Sequence, residues 1–223
     1  MLPSSSDPLT RTEEIIVSSE SIRLTGILAV PENSTGLVVF AHGSGSGRHS
    51  PRNRLVADVL NRAGLVTMLV DLLTAAEEGD RARVFDIELL ADRLVAVTRG
   101  LRTRSVLGGL PTGYFGASTG AGAALWAATE PGAEIAAIVS RGGRPDLAGP
   151  RLAHVRAPTL LIVGGNDRQV LELNREAQLR MPCPSEIDVV PGATHLFEEP
   201  GALEQVADLA RDWFRRHLSV VRS

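Results

Sequence analysis

The chain has 223 residues, 43% of them hydrophobic, with a formal net charge of −3 and a single cysteine, Cys183. That length suits one α/β unit with a sizeable core, the lack of a cationic surplus argues against nucleic acid or an anionic membrane surface as partner, and one thiol excludes an internal disulfide framework. No charged start followed by an apolar run opens the chain, and no segment stays apolar long enough to span a bilayer. The expectation is a cytoplasmic protein with one domain over residues 1–223, of which 1–12 form a flexible leader.

Residues 13–17 and 22–30 are rich in Ile, Val and Leu and break at Ser18-Ser19 and Pro31-Glu32-Asn33, which predicts two strands paired as an antiparallel edge. Residues 37–41 form a continuous apolar run, as a strand covered on both faces requires, and lead into a Gly/Ser-rich loop. Ser50 and Pro51 then supply an N-cap and a first helical position, and Leu55, Val56, Val59, Leu60 and Ala63 form an apolar stripe that stops before Gly64. A buried strand over 65–70 follows. From Asp86 onward Ile87, Leu90, Leu94, Val97 and Leu101 recur at steps of three and four, the period of a second amphipathic helix. The alternation continues with strands at 113–117, 135–139, 159–163 and 186–190 and helices at 120–129 and 171–179. Leu203, Val206, Leu209, Trp213, Phe214 and Leu218 place a closing helix on the sheet. This order predicts a doubly wound, mostly parallel sheet flanked by helices, with its ligand site beyond the carboxyl ends of the strands.

Gly116-Ala117-Ser118-Thr119-Gly120 matches the G-x-S-x-G nucleophile elbow and falls between a predicted strand and an Ala/Gly-rich helix, where a sharp turn holds the serine in a strained backbone region. A glycine-rich turn is the plain structural reading of the same five residues. The apolar strand ending in Gly164-Gly165-Asn166-Asp167 delivers an acid, Asp167, although aspartate there also suits a helix N-cap. Pro191-Gly192-Ala193-Thr194-His195 delivers a histidine after the last strand. Ser, Asp and His in that order, each at the carboxyl end of a strand, is the arrangement in which His195 takes the Ser118 proton and Asp167 orients the imidazole. The developing oxyanion needs two N–H donors, expected from Thr119 and from Ser44 in His42-Gly43-Ser44-Gly45-Ser46-Gly47, with Gly43 or Gly45 as alternatives to Ser44. That loop lacks the Lys-Ser/Thr ending of a nucleoside triphosphate loop, and its glycine spacing does not fit a dinucleotide fingerprint.

Other residues carry weaker signals. His42 suits a structural loop residue better than a second base, and Arg48 and His49 offer contacts to an anionic substrate or, more simply, solvated positions. Arg141 and Arg144 could clamp a substrate carboxylate, though arginines in polar loops are usually solvated. Asp146 is the runner-up acid, Asp71 is expected to fix its own loop, Cys183 reads as an incidental thiol, and Glu198-Glu199 as a solvated pair. Trp126 and Trp213 fit core packing. No His/Cys/Asp/Glu cluster has ligand spacing, so neither a metal nor a cofactor is implied.

Together Phe40-Ala41-His42-Gly43-Ser44-Gly45, Gly116-Ala117-Ser118-Thr119-Gly120, Gly164-Gly165-Asn166-Asp167 and Gly192-Ala193-Thr194-His195 resemble the dienelactone-hydrolase-like branch of α/β hydrolases, over most of the chain from Glu13 to Leu218. The resemblance implies an α/β-hydrolase fold without a large cap domain, in line with the about twenty residues between the strands at 135–139 and 159–163. Dienelactone hydrolases use a cysteine nucleophile, and serine stands here, so their substrate does not carry over. A regular serine triad implies a carboxylesterase or lactonase acting on small acyl groups. Thioesterases and peptidases of the same fold, and a non-catalytic module that keeps the pocket for a small ligand, are the alternatives. Sequences of this kind also occur fused to phosphoribosyltransferase-like domains, and no such domain is expected in these residues.

Overall fold

A computed structural model describes residues 10–19 and 22–218. Eight strands form one sheet in the order β1-β2-β4-β3-β5-β6-β7-β8, where β1 is Thr10–Ser19, β2 Ile22–Pro31, β3 Gly36–Ala41, β4 Leu65–Val70, β5 Thr112–Ala117, β6 Ile135–Arg141, β7 Thr159–Gly164 and β8 Ser185–Val190. β1 pairs antiparallel with β2 and β2 antiparallel with β4, and every pair from β4 to β8 is parallel. Each predicted strand is present. β1 begins at Thr10, so the last three residues of the expected leader are strand residues paired with 29–31, and the remainder of that segment lies outside the described residues.

The predicted helices are α1 (Pro51–Arg62), α3 (Ile87–Arg102), α4 (Thr119–Ala127), α5 (Arg168–Arg180) and α6 (Ala202–His217). Caps set their starts: Ser50 accepts from Asn53 N–H, and Asp86 accepts from Leu89 N–H at 3.0 Å. A four-residue helix α2, Arg81–Val84, was not expected, because it is too short to show an apolar period and is announced only by its Asp80 cap. α1 and α6 cover one face of the sheet, where Val56, Leu60, Val206 and Phe214 pack on Val38, Phe40 and Val139. α3 and α4 cover the other, with Leu90, Leu94 and Ala123 against Val39, Met68 and Tyr114. Between β6 and β7 the chain forms a 3-10 segment, Pro145–His154, bent at Gly149 and packed on α4 through Ala148 and Leu152, so the connection is a surface patch and no cap.

β3 is the first parallel strand and lies between β4 and β5, so the chain leaves it in one direction and returns on its other side. The loops after β3 and β5 therefore diverge above this point, which is where open α/β sheets hold ligands. Phe40 and Phe115 stack across the same two strands with ring centroids 4.7 Å apart, a contact that contributes about 1 kcal/mol beyond burial and fixes the two loops relative to each other.

Candidate active site

Ser118 follows β5 with φ +50° and ψ −121°, in the left-handed half of the map that costs a non-glycine residue about 1–3 kcal/mol. Its surroundings hold it there: Ser118 N–H donates to Arg141 O at 3.2 Å, and Ser118 O accepts from Ala121 N–H at 3.1 Å and Arg144 N–H at 3.0 Å. The flanking glycines admit close backbone approach. A Cβ on Gly116 would lie 2.4 Å from Ala121 Cα, and one on Gly120 would lie 2.1 Å from Ala41 O. Alanine normally improves a helix, but at position 120 the collision with β3 backbone reverses the sign. Gly120→Ala is expected to lower stability by about 3 kcal/mol and Tm by about 6–12 °C, measured by thermal unfolding against wild type.

His195 sits in the loop after β8, with Nε2 3.3 Å from Ser118 Oγ and Nδ1 2.6 Å from Asp167 Oδ2. Asp167 occupies the N-cap position of α5 yet makes no side-chain capping bond, so its carboxylate serves the histidine and leaves the helix uncapped. Asp146, the competing acid, is held bidentately by Arg144 at 2.7 and 2.8 Å. The acid and histidine loops are tied together: Asn166 N–H donates to Ala193 O at 2.9 Å and Asn166 Nδ2 to Gly192 O at 2.7 Å. Two further positioning residues were not recognised in the sequence. Phe197, two residues after His195, turns at φ +56° and is fully buried against the α1/α6 face, anchoring the loop in the core. Glu199 accepts from Thr194 N–H at 3.0 Å, a bond that also holds its carboxyl below the usual range, so it is a loop staple and not half of a solvated pair. The apolar pair Leu196-Phe197, directly after His195, was the available signal for Phe197.

The loop after β3 closes over the elbow, since a Cβ on Gly43 would come within 3.1 Å of Ser118 Cβ. Thr119 opens α4, where first-turn N–H groups have no intrahelical acceptor. The expectation for Ser44 needs correction: its N–H donates to Thr119 Oγ1 at 3.0 Å and is already engaged. His42 is buried and structural, accepting from Leu72 N–H at Nε2 (3.1 Å) and therefore donating from Nδ1 to Gly43 O (2.9 Å). Arg48 is not a free substrate contact either, because Asp71 takes both its backbone N–H, at 2.6 Å, and its guanidinium. Arg144 is likewise occupied by Asp146, whereas Arg141 is buried, not solvated in a polar loop.

Beside this loop lies a cavity of about 790 Å³, lined by Leu24, His42, Ser44, Arg48, Leu73 and Val84 among others. Its wall at 74–78 is braced by Glu77, which accepts from the Arg93 guanidinium at 2.7 and 2.8 Å and from Thr74 N–H at 3.0 Å. The Arg93 bonds hold the Glu77 carboxyl down at about 2. A depressed carboxylate stabilises the fold above its ordinary value of 4.5 and loses that contribution as pH falls from 4.5 toward 2. Glu77→Gln should therefore cost about 1 kcal/mol at neutral pH and nothing near pH 2, read as converging thermal melts of variant and wild type.

Comparison with known proteins shows the family of the chain. A crystal structure of a dienelactone hydrolase from Anabaena variabilis is 52% identical and superposes with a TM-score of 0.90, covering 94% of this chain and 99% of that one. The chain belongs to the dienelactone hydrolase family. More distant members of the fold include Est1E from Butyrivibrio proteoclasticus, at 15% identity and TM-score 0.76 over 92% of this chain and 98% of that one, a likeness of fold alone. No family model matches the chain. Two Mycobacterium tuberculosis proteins that carry phosphoribosyl transferase as a provisional name are 61% identical over 217 residues, 97% of this chain and 49% of theirs. The chain thus spans about half the length of these curated relatives. Among the described residues no helix is long and apolar enough to cross a membrane, and no group of three or more His, Cys, Asp or Glu side chains is placed to hold a metal ion.

Proposed function

We propose that this member of the dienelactone hydrolase family is a serine hydrolase that cleaves small carboxylic esters or lactones through an acyl-enzyme on Ser118. The observation that carries the reading is the unbroken chain from Ser118 Oγ to His195 Nε2 and from His195 Nδ1 to Asp167 Oδ2 at the end of β5. His195 Nε2 takes the hydroxyl proton as Ser118 Oγ attacks the acyl carbon, and Asp167 stabilises the imidazolium. The tetrahedral oxyanion receives the Thr119 N–H and a second donor from Gly43 or Gly45, since the Ser44 N–H is engaged by Thr119 Oγ1. On collapse the protonated His195 hands its proton to the departing alkoxide. A water molecule, deprotonated by the same nitrogen, then releases the acid and restores Ser118.

The adjoining cavity suits a substrate of modest size, with an apolar side built from Leu24, Leu73, Val84 and Leu90 and a polar rim from the 43–48 loop. The transferase name of the longer relatives supports no reading of this chain, whose glycine-rich loop packs on the elbow at Gly43 and whose Arg48 is bound to Asp71. Two measurements test the proposal. Short-chain nitrophenyl esters should be turned over, and a fluorophosphonate probe should label the folded protein at Ser118. Failure of both would replace the hydrolase reading with that of a small-ligand-binding module.

A further inference from the structure

Arg141 closes β6 one residue before the loop that meets His195. It stands in register with Ala117 on β5 and Ile162 on β7, and it alternates with Ala137 and Val139, whose side chains pack among α1 and α6 residues. Its side chain therefore leaves the sheet on the α1 face, at the carboxyl end of the strand. There it is nine-tenths buried, with 8% of its surface exposed, and Nε and Nη1 meet no hydrogen-bond partner among the described residues. The nearby charge is of the same sign. Arg52, in the first turn of α1, reaches the same His195 loop that Gly142 meets, with its own Nε buried and unpartnered and only a 3.4 Å contact to the exposed Glu198. No acidic residue lies in the first turn of α1 to offset the positive end of that helix.

Buried guanidinium groups in proteins are as a rule paired, and Arg141 stays cationic at neutral pH although burial and Arg52 push it down to about 10. A planar guanidinium with unmet donors, a second arginine and a helix amino end converge on one chemistry, that of a carboxylate or phosphate oxygen. We infer that Arg141 and Arg52 form an oxyanion-binding subsite at the amino end of α1, beside the Ser118–His195 pair. It lies next to the cavity described above, to which Arg52 also contributes. Where the anion is a carboxylate on the substrate, the inference rests on the hydrolase reading. Where it is a free ion, it does not.

The test uses thermal melts of the full chain and of Ser118→Ala, in sodium phosphate, sodium glutarate or sodium chloride at matched ionic strength. Phosphate or glutarate should raise Tm by about 4 °C over chloride in both proteins. Arg141→Met should abolish the rise while leaving Tm in chloride equal or higher, because an apolar side chain replaces an unpaired charge. A purely structural arginine would instead lose stability in chloride. Should Arg141→Met fail to fold, Arg52→Ala, on a half-exposed helix position, should at least halve the rise. Hydrolysis then separates the sources: a nitrophenyl hemiglutarate preferred about tenfold over nitrophenyl butyrate in kcat/KM, with the preference lost in Arg52→Ala, identifies a substrate carboxylate. A Tm rise without that preference identifies a free oxyanion. No rise and no preference, or a rise that survives both arginine substitutions, overturns the inference. Because the Ser118→Ala melts read binding alone, an inactive protein leaves this result standing by itself.

Discussion

Ser118→Ala should reduce hydrolysis of any responsive ester by roughly 10⁴- to 10⁶-fold and remove labelling by a fluorophosphonate, with substrate binding largely kept. The size follows from the position of the hydroxyl as the nucleophile that His195 Nε2 activates for acylation in the proposed mechanism, a role no neighbouring group takes over. A companion variant isolates the backbone contribution. Ser118→Gly is equally inactive but relieves the positive φ, and should raise stability by about 1 kcal/mol, seen as a Tm increase of about 2–4 °C, whereas Ser118→Ala keeps the strain. Activity retained in Ser118→Ala would sink the mechanism, and equal Tm values for the two variants would show that the turn is not strained.

Asp167→Asn should lower kcat by about 10⁴-fold, since an amide can donate to His195 Nδ1 and stabilise the tautomer that cannot accept the serine proton. Asp146→Asn is the decisive control, because both aspartates follow neighbouring strands and either could have been the acid. Asp146 is committed to Arg144 in a partly exposed pair, and its neutralisation should change kcat by no more than about threefold. Steady-state rates for the two variants on one nitrophenyl ester measure the difference. A larger loss in Asp146→Asn than in Asp167→Asn would transfer the acid role to Asp146.

Local pattern was legible wherever one physical requirement dominated. The continuous apolar run at 37–41 and the apolar-rich stretches at 65–70 and 159–163 are strands because residues covered by helices on both faces leave no reason for alternation, and the structure buries every residue of each. Ser50 and Asp86 marked helix starts because a short oxygen-bearing side chain at that point meets an orphan N–H. Asp167 looked the same in sequence but behaves otherwise, since the cap and the histidine compete for one carboxylate and only proximity to His195 decides between them. Arg48 and Arg144 look like free cations in the sequence for the same reason. Asp146 stands two residues from Arg144 and Asp71 23 from Arg48, and nothing in chain order shows that either pair of side chains meets.

What the sequence by itself determined was the alternation of strands and helices, the fold class, and the order Ser118, Asp167, His195, all of which follow from periodicity and from where glycine and small polar residues interrupt it. What only the tertiary structure decided was convergence. The loops after β5, β7 and β8 end within hydrogen-bonding distance of one another because parallel strands deliver their carboxyl ends to one edge of the sheet, and Phe197, Asn166 and Glu199 then fix the loops there. The engagement of Ser44 N–H by Thr119 and the unpaired guanidinium of Arg141 also belong to this second class. A hydrogen bond between residues 75 positions apart, or the absence of one inside the core, depends on distances that no local pattern encodes.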